Sequence, residues 1–223
     1  MLRPSPCPLP EGEGKFFAIP ILHTFIRPRL QLESVSMNLV LASQSPRRKE
    51  LLPILGIPFE VIPASIDETP FPEETPEDFV ARAAREKGVE VASRVSHSIV
   101  LSADTVVTID GEILNKPVDE KDAVRMLKKL SGREHSVYTA VSVINQDTEE
   151  MLEGLERTRV WFNSLKDEEI RDYLRREDVF DKAGAYAIQG YAGIYIPKIE
   201  GNYFNVMGLP LPLVHELLCR TLS

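Results

Sequence analysis

The sequence predicts a mixed α/β domain, in which alternating helices and strands are combined with antiparallel hairpins. Three observations lead to this prediction. Segments with a strand pattern alternate with segments of helical period from residue 37 onward. An Asp-Gly turn and a later pair of alternating strands predict antiparallel hairpins in the same sheet. The composition is that of a globular chain, because 43% of the 223 residues are hydrophobic and 27% are charged.

The first 36 residues have a different character from the rest of the chain. They are rich in proline and glycine, and Pro20 and Pro28 interrupt the apolar segment KFFAIPILHTFIRPRL. A secretory signal needs an unbroken apolar centre followed by a small-residue cleavage site, and this segment provides neither. We therefore expect residues 1–36 to be a disordered extension, or an artefact of start-site choice, and residues 37–223 to form one folded domain.

The first half of this domain is predicted to contain three strands and two helices. Short apolar runs predict strands over 38–42, 59–65 and 98–109. Two predicted helices, over 45–55 and 75–93, each begin with a Ser-Pro or Thr-Pro pair, which is a favoured helix start. Gly56 is expected to end the first of them.

The second half continues the alternation after a predicted hairpin turn at Asp110-Gly111. The patterns predict helices over 119–130, 164–176 and 212–222 and a hairpin of strands over 134–144 and 153–162. Residues 183–208 are rich in glycine and aromatic side chains, which is typical of short strands and functional loops.

Charge and composition exclude several classes of function. The formal net charge is −8 and the pI is near 5.2, so a nucleic-acid-binding role is disfavoured. No apolar run approaches the roughly 20 residues that span a bilayer. The two cysteines are far apart and the four histidines are scattered, which argues against thiolate or imidazole metal sites and suits a reducing cytoplasm. Any metal would be a hard ion on oxygen ligands.

The segment LASQSPRRKELL has the pattern of an anion site. Ser43, Ser45, Arg47 and Arg48 lie where a predicted strand ends and a helix begins. Helix N-termini already favour negative charge, and guanidinium groups add bidentate contacts to phosphate. The alternative is that the arginines, with Lys49, form a solvated helix face, and this segment alone does not decide between the two.

Two carboxylates are candidates for chemistry and for metal binding. Asp104 lies within the apolar strand pattern SIVLSADTVVTI, where an acid is costly unless it is paired or functional. Glu68 follows another predicted strand, and the two carboxylates could hold Mg²⁺ against phosphate oxygens. The alternatives are a turn aspartate at 104 and a solvated acidic loop around 68.

Three further polar residues are weaker candidates when each is taken alone. Lys116 precedes Pro117, which forces it into an extended conformation, and lysine serves phosphates as a point charge. Lys87 lies among alanines on a predicted helix, where its stem could simply cover apolar surface. Gln189, in the small-residue segment DKAGAYAIQG, could hydrogen-bond a base edge, or the segment could be a structural loop.

Taken together, these motifs resemble the Maf family, also called septum formation proteins. The matching segments occur in order over about residues 37–218: LASQSPRRKELL, REK, SADTVV, GEILNKP, LSGREHSVYTAV, DKAGAYAIQG and YFNVMGLPL. The resemblance implies a fold like that of inosine-triphosphatase-type pyrophosphatases: a mixed, elongated sheet flanked by helices, with two lobes and a deep cleft. It also implies a cytoplasmic homodimer that uses Mg²⁺ or Mn²⁺ to split a nucleoside triphosphate into monophosphate and pyrophosphate.

The resemblance also implies roles for individual residues. Asp104 matches the proton acceptor of the family, and SPRR, ADT and AIQG resemble the branch that acts on dTTP and UTP. Arg47, Thr105 and Gln189 match positions tied to substrate choice. Residues that match the phosphate and metal region are Ser43, Arg48, Glu68, Lys87 and Lys116.

Two other functions are alternatives to dTTP and UTP hydrolysis. One keeps the enzyme and changes the substrate to 7-methyl-GTP or a damaged nucleotide. The other is a non-catalytic role in which the protein contacts the division machinery, because the family name refers to septum formation.

Overall fold

A computed structural model of the protein describes residues 37–222, so the expectation for residues 1–36 lies outside the described residues. This part contains seven strands: β1 (Asn38–Ala42), β2 (Phe59–Val61), β3 (Ser98–Ile109), β4 (Glu112–Leu114), β5 (Glu134–Asn145), β6 (Glu150–Trp161) and β7 (Lys198–Glu200). Its α-helices are α1 (Pro46–Leu51), α2 (Pro76–Ala92), α3 (Glu120–Leu130), α4 (Asp167–Arg176), α5 (Tyr203–Val206) and α6 (Leu211–Thr221). Short 3₁₀ segments cover Leu52–Leu55, Ala183–Ala185 and Tyr191–Tyr195.

The strands form one mixed sheet, as predicted. Its order is β2-β1-β3-β5-β6-β7, and β4 pairs with β3 beside this path. The pairs β1–β2 and β1–β3 are parallel, while the remaining pairs are antiparallel. The hairpin turn at Asp110-Gly111 is confirmed, with φ of 55° and 77° as a two-residue turn of this kind requires.

The long strand β3 changes its neighbour halfway along one edge. Its other edge pairs with β5 from Ile99 to Thr108. On the first edge, pairing with β1 ends at Ser102 and pairing with β4 begins at Val107. Residues 103–106 therefore lie in a gap between two partner strands. Side chains alternate between the faces of a strand, so neighbouring residues in this gap serve opposite faces of the sheet.

The buried apolar side chains gather on the two sides of this gap. On one side, α2 packs Val91 against β1 and the first half of β3, and packs Phe79 and Val80 against the middle of β3 and β5. On the other side, α3 and α4 pack against β4 and the far half of β3, with Leu127 and Tyr173 in the centre. The first group contains Val100 and Val106 of β3 and the second contains Val107 and Ile109, so the two groups cover opposite faces of this strand. The two lobes that the resemblance implied stay a prediction.

Several element boundaries differ from the predictions for local reasons. β2 ends at Val61 rather than 65, and Pro63 in the predicted extension lacks the N–H that a strand ladder uses. α4 begins at Asp167 rather than 164, because the backbone N–H of Lys166 is capped by the Glu169 carboxylate at 2.7 Å. Ser45 stands at the start of α1, as predicted, but makes no side-chain cap hydrogen bond.

The other predicted helix features agree with the structure. Gly56 adopts a left-handed conformation, with φ of 70°, and ends the 3₁₀ turn that continues α1. Thr75 caps α2 by accepting a hydrogen bond from the backbone N–H of Asp78 at 3.1 Å. Within residues 37–222, no helix combines the length and apolar character needed to cross a bilayer.

Candidate active site

A cavity of about 460 Å³ opens at the gap in β3. It is lined by the end of β1, the start of α1, the β2–α2 loop, α2, the residues after β4 and the segment 181–189. The nine residues that the sequence motifs assigned to a site all line it: Ser43, Arg47, Arg48, Glu68, Lys87, Asp104, Thr105, Lys116 and Gln189. The fold thus brings together residues as far apart in the chain as Ser43 and Gln189.

The buried polar and charged lining residues form what we call the floor, which consists of Ser43, Arg48, Lys87 and Asp104. Their exposed fractions are 4%, 8%, 8% and 7%, respectively. The burial of three charged side chains at one site is unusual, because charged side chains are rarely buried unless they are paired. The solvated-helix-face alternative is therefore wrong for Arg48, and the surface-covering alternative is wrong for Lys87.

Arg48 connects three separate segments of the chain through its guanidinium group. Its Nε donates to the Gly208 carbonyl at 2.7 Å, Nη1 donates to Ser43 Oγ at 3.2 Å and Nη2 donates to Thr105 Oγ1 at 3.0 Å. A guanidinium has five N–H donors, so it can hold these acceptors and still donate to an anion. Burial lowers the pKa of Arg48, while the negative charge of Asp104 opposes that shift.

Residues that sequence reasoning missed hold Arg48 and Thr105 in place. Thr105 Oγ1 lies 2.9 Å from Thr139 Oγ1, which donates in turn to the Asn205 carbonyl at 3.1 Å. Gly208 has a φ of 100°, and a Cβ there would lie 3.3 Å from Thr105 Oγ1, so glycine suits both the conformation and the close approach. Gly208, in the segment VMGLP, could have been noticed in the sequence as a position that needs an unusual backbone conformation. Nothing in the alternating pattern of β5 distinguishes Thr139.

Lys87 brings the two candidate carboxylates together. Its Nζ donates to Asp104 Oδ1 at 2.6 Å and pairs with Glu68 Oε1 at 3.0 Å. Lys87 reaches Asp104 because both lie on the side of the sheet that α2 covers. Burial tends to raise the pKa of Glu68, but the positive charges of Lys87, Lys116 and Arg48 outweigh burial and hold that pKa below its ordinary value.

The Asp104 and Glu68 carboxylates fit a hard divalent cation. They contact the same ammonium group, so their oxygens lie close together. Mg²⁺ usually takes one or two protein carboxylates and completes its shell with water and substrate phosphates. In the described part of the chain, no group of three or more His, Cys, Asp or Glu residues is arranged to hold a metal. The donor set thus suits an ion that is shared with a phosphorylated ligand.

Four of the more exposed lining residues form what we call the rim: Arg47, Lys116, Asp181 and Gln189. Arg47 reaches across the cavity from α1, where Nη1 donates to Asp181 Oδ2 at 2.8 Å and Nη2 donates to the Asp181 carbonyl at 3.1 Å. Asp181 belongs to the segment that also carries Gln189, but no signal in the sequence pointed to its pairing with Arg47. The two adjacent arginines therefore make different contacts: Arg48 bonds to buried groups at the floor, and Arg47 pairs with Asp181 at the rim.

A buried histidine–tyrosine pair supports the Gln189 segment from behind. His135 Nε2 lies 2.7 Å from the Tyr186 hydroxyl, and both rings contact Phe162. Burial lowers the pKa of His135 to about 3, so its imidazole is neutral near pH 7. Tyr186 also lines the cavity, so this pair connects the core around Leu127 and Tyr173 to the segment at the rim.

The fold and the site define a member of the Maf family. A family profile described as Maf-like protein matches residues 38–221, which is nearly the whole described part of the chain, and the chain belongs to this family. Curated relatives of this chain carry the name dTTP/UTP pyrophosphatase. The relative from Geotalea uraniireducens is 50% identical over 82% of this chain and 94% of its own length.

Other relatives have the same name and similar coverage. The dTTP/UTP pyrophosphatase of Clostridioides difficile is 46% identical over 84% of this chain and 96% of its own length. That of Geobacter sp. strain M21 is 51% identical over 81% of this chain and 94% of its own length. Among solved structures, the Staphylococcus aureus Ham1 protein matches with a TM-score of 0.43 and 16% identity, over 56% of this chain and 71% of that chain.

Proposed function

We propose that this protein is a dTTP/UTP pyrophosphatase, which hydrolyses these nucleotides to the monophosphate and pyrophosphate. The observation that carries the proposal is the arrangement of Lys87 between Asp104 and Glu68, beside buried Arg48, at the gap in β3. Membership of the Maf family and the name of the relatives support this reaction and these substrates.

The charge distribution suits a polyphosphate ligand. The whole chain carries a formal charge of −8, yet Arg47, Arg48, Lys87 and Lys116 all line one cavity. Three carboxylates, Glu68, Asp104 and Asp181, line the same cavity, so its charge is nearly balanced whereas that of the whole chain is strongly negative. A divalent cation on Glu68 and Asp104 would make the cavity more favourable to a polyphosphate.

The floor would carry out the chemical step. Asp104 would accept a proton from the water that attacks the α-phosphorus, and Lys87 beside it would offset the negative charge that develops there. Arg48 and Lys116 would hold the leaving pyrophosphate. Pyrophosphatases of this family are generally metal-dependent, and Glu68 and Asp104 would hold Mg²⁺ or Mn²⁺. Such an ion supplies further charge neutralisation on the phosphoryl oxygens.

Selection of the base would belong mainly to the rim. The Gln189 amide offers a donor and acceptors that match the edge of uracil or thymine. Thr105 would act indirectly, because its hydroxyl already holds Arg48 and Thr139. Arg47 would contribute from across the cavity. The homodimer, the cytoplasmic location and a functional domain over 37–223 are further predictions that this proposal includes.

The test is pyrophosphate release over a panel of dTTP, UTP, dCTP, dGTP and 7-methyl-GTP, with wild type and Asp104→Asn compared. We expect the highest kcat/KM for dTTP and UTP, and a loss of about 10³-fold in kcat for the variant, which is within the usual range for loss of a general base. Circular dichroism of the variant should remain that of the wild type. A fully active Asp104→Asn enzyme, or a clear preference for 7-methyl-GTP, would contradict the proposal.

A further inference from the structure

The β2–α2 loop (residues 62–75) carries Glu68 and has only a short turn at 72–73. Loops of this length without secondary structure are uncommon in compact domains unless they are functional. The exposed fraction of the Glu68 side chain is 47%, so burial does not hold it in place. If Glu68 is to bind a metal in a fixed position, contacts made by other residues of the loop must hold the loop in place.

Arg82, on α2, provides this anchor. Its guanidinium donates from Nη2 to the Thr69 carbonyl at 3.1 Å, and from Nε and Nη2 to the two carboxylate oxygens of Glu74 at 2.7 and 2.8 Å. It also stacks over the Phe71 ring at 3.9 Å from the ring centroid. The stacking explains why Phe71 can stand 59% exposed at the surface. One side chain thus contacts three separate residues of the loop.

The contact at Thr69 acts directly on the position of Glu68. Asp67 Oδ1 accepts hydrogen bonds from the Thr69 backbone N–H at 2.9 Å and from its hydroxyl at 2.6 Å. The backbone on both sides of Glu68 is therefore tied into a local turn, and Arg82 holds the carbonyl end of that turn against α2. The same helix presents Lys87, whose Nζ lies 3.0 Å from Glu68 Oε1.

We propose that Arg82 is a positioning residue that holds the Glu68 turn against α2 and thereby sets the affinity of the site for its divalent cation. This inference rests on the proposed function, because it assigns Glu68 to the metal that accompanies the triphosphate. Lysine cannot replace arginine here. It keeps the charge but has neither the planar fork that meets Glu74 with two hydrogen bonds nor the flat face that stacks on Phe71.

The first test compares Arg82→Lys with a matched control on the same helix. Arg85 also forms a two-fold contact with a carboxylate, that of Glu153 on β6, but does not touch the loop. Mn²⁺ is titrated by calorimetry into each full-length protein in the presence of inorganic pyrophosphate. We expect the apparent Kd for Mn²⁺ to rise about 10-fold in Arg82→Lys, as is usual when an outer contact of a metal ligand is lost, and to stay within about two-fold in Arg85→Lys.

The second test asks whether Arg82 acts through Glu68. Glu68→Gln and the double variant Arg82→Lys with Glu68→Gln complete a double-mutant cycle. We expect Arg82→Lys to weaken Mn²⁺ binding in the wild-type background and to have little further effect once Glu68 is changed. Equal effects in both backgrounds would mean that Arg82 has only a general structural role, and would overturn the inference.

A third measurement needs neither metal nor turnover. Limited proteolysis of the metal-free proteins should cleave the β2–α2 loop faster in Arg82→Lys than in wild type or Arg85→Lys. An unchanged cleavage rate, an unchanged Kd for Mn²⁺, or a wild type that binds no Mn²⁺ with pyrophosphate would each overturn the inference. Failure of the proposed function looks different: Mn²⁺ binding would respond as expected, while neither dTTP nor UTP would be hydrolysed.

Discussion

The floor and the rim of the cleft are built from different kinds of contact. On the floor, the charges of Arg48, Lys87 and Asp104 are less than 10% exposed and are satisfied by one another and by backbone and hydroxyl groups. On the rim, the Arg47–Asp181 pair is 20% and 44% exposed at its side chains. Preorganised buried dipoles suit a fixed chemical step, whereas exposed pairs contribute little to stability and can rearrange. Under the proposed function, the chemical step would thus be fixed by the fold, while selection would depend on adjustable side chains.

The most direct test of this difference between floor and rim is to replace each of the adjacent arginines, Arg48 and Arg47, by lysine. Arg48→Lys leaves buried acceptors at Gly208 and Thr105 without their donors, so we expect the free energy of unfolding to fall by about 1–3 kcal/mol. Activity should fall by about 10²-fold, because an oriented phosphate contact is lost. Arg47→Lys should change the free energy of unfolding by less than about 0.5 kcal/mol. Urea denaturation and kcat/KM for dTTP measure both, and equal losses of stability would contradict the distinction.

The buried His135–Tyr186 pair supports the rim, and the lowered pKa of His135 predicts that the free energy of unfolding depends on pH. The pKa of His135 is about 3 in the folded protein, against an ordinary value of 6.5, so the unfolded chain binds its proton more readily. The contribution of neutral His135 to the free energy of unfolding is complete above pH 6.5 and is lost as the pH falls toward 3. The loss should reach about 1.4 kcal/mol per pH unit at its steepest.

The variant His135→Gln, which can still hydrogen-bond Tyr186, isolates this contribution. Urea denaturation at intervals from pH 7 to pH 4 should give a smaller decline in the free energy of unfolding for the variant than for wild type. Carboxylates contribute equally to both proteins, so the difference between the two curves reports His135. Parallel curves would show that the histidine is not held neutral.

A change at Gln189 tests the assignment of selection to the rim. Gln189→Glu removes the amide donor and adds a charge, so we expect kcat/KM for dTTP and UTP to fall about 10-fold relative to other nucleotides. Gln44→Glu is the matched control, because Gln44 is exposed and lines the same cavity. The Mg²⁺ dependence should be the same in both variants. If the nucleotide profile of Gln189→Glu equals that of wild type, Gln189 does not read the base.

The smallest effect is expected at Asp181. Asp181→Asn removes a negative charge from the cavity and frees Arg47 from its carboxylate partner, so a polyanionic nucleotide meets less repulsion and less competition. We expect KM for dTTP to fall about two- to three-fold and Tm to change little, as is usual for an exposed pair. Steady-state kinetics at two salt concentrations measure this effect, and a rise in KM would contradict the competitive role of Asp181.

Local patterns predicted most of the fold. Residues 98–109 form the strand that their apolar pattern predicted, and Thr75 caps α2 as its position before proline indicated. These features depend on neighbouring residues in the sequence. The start of α4 was wrong although its signal is also local: Glu169 caps the backbone N–H of Lys166, and this competed with the more usual capping residue Ser164. All nine residues that the motifs assigned to a site line the cavity, because each belongs to a distinctive short segment.

Contacts across the fold were not predictable from the sequence. The bond of Thr139 to Thr105 depends on the register between β5 and β3. The pairing of Arg47 with Asp181 joins residues 134 positions apart, and no local pattern specifies it. The contacts of Arg82 were not predictable for another reason. An arginine on a helix face has the sequence pattern of an ordinary surface charge, and its partners depend on where the β2–α2 loop lies.

The gap in β3 also leaves one edge of a central strand open without loosening it. Since the strand exchanges one neighbour for another at residues 103–106, each side of the opening is tethered to a different partner strand. Asp104 keeps its place because the pairing of β3 with β5 runs without interruption across the gap. The interruption in hydrogen bonding, which would be a defect in a purely structural sheet, gives a ligand access to a strand that is still held along its other edge.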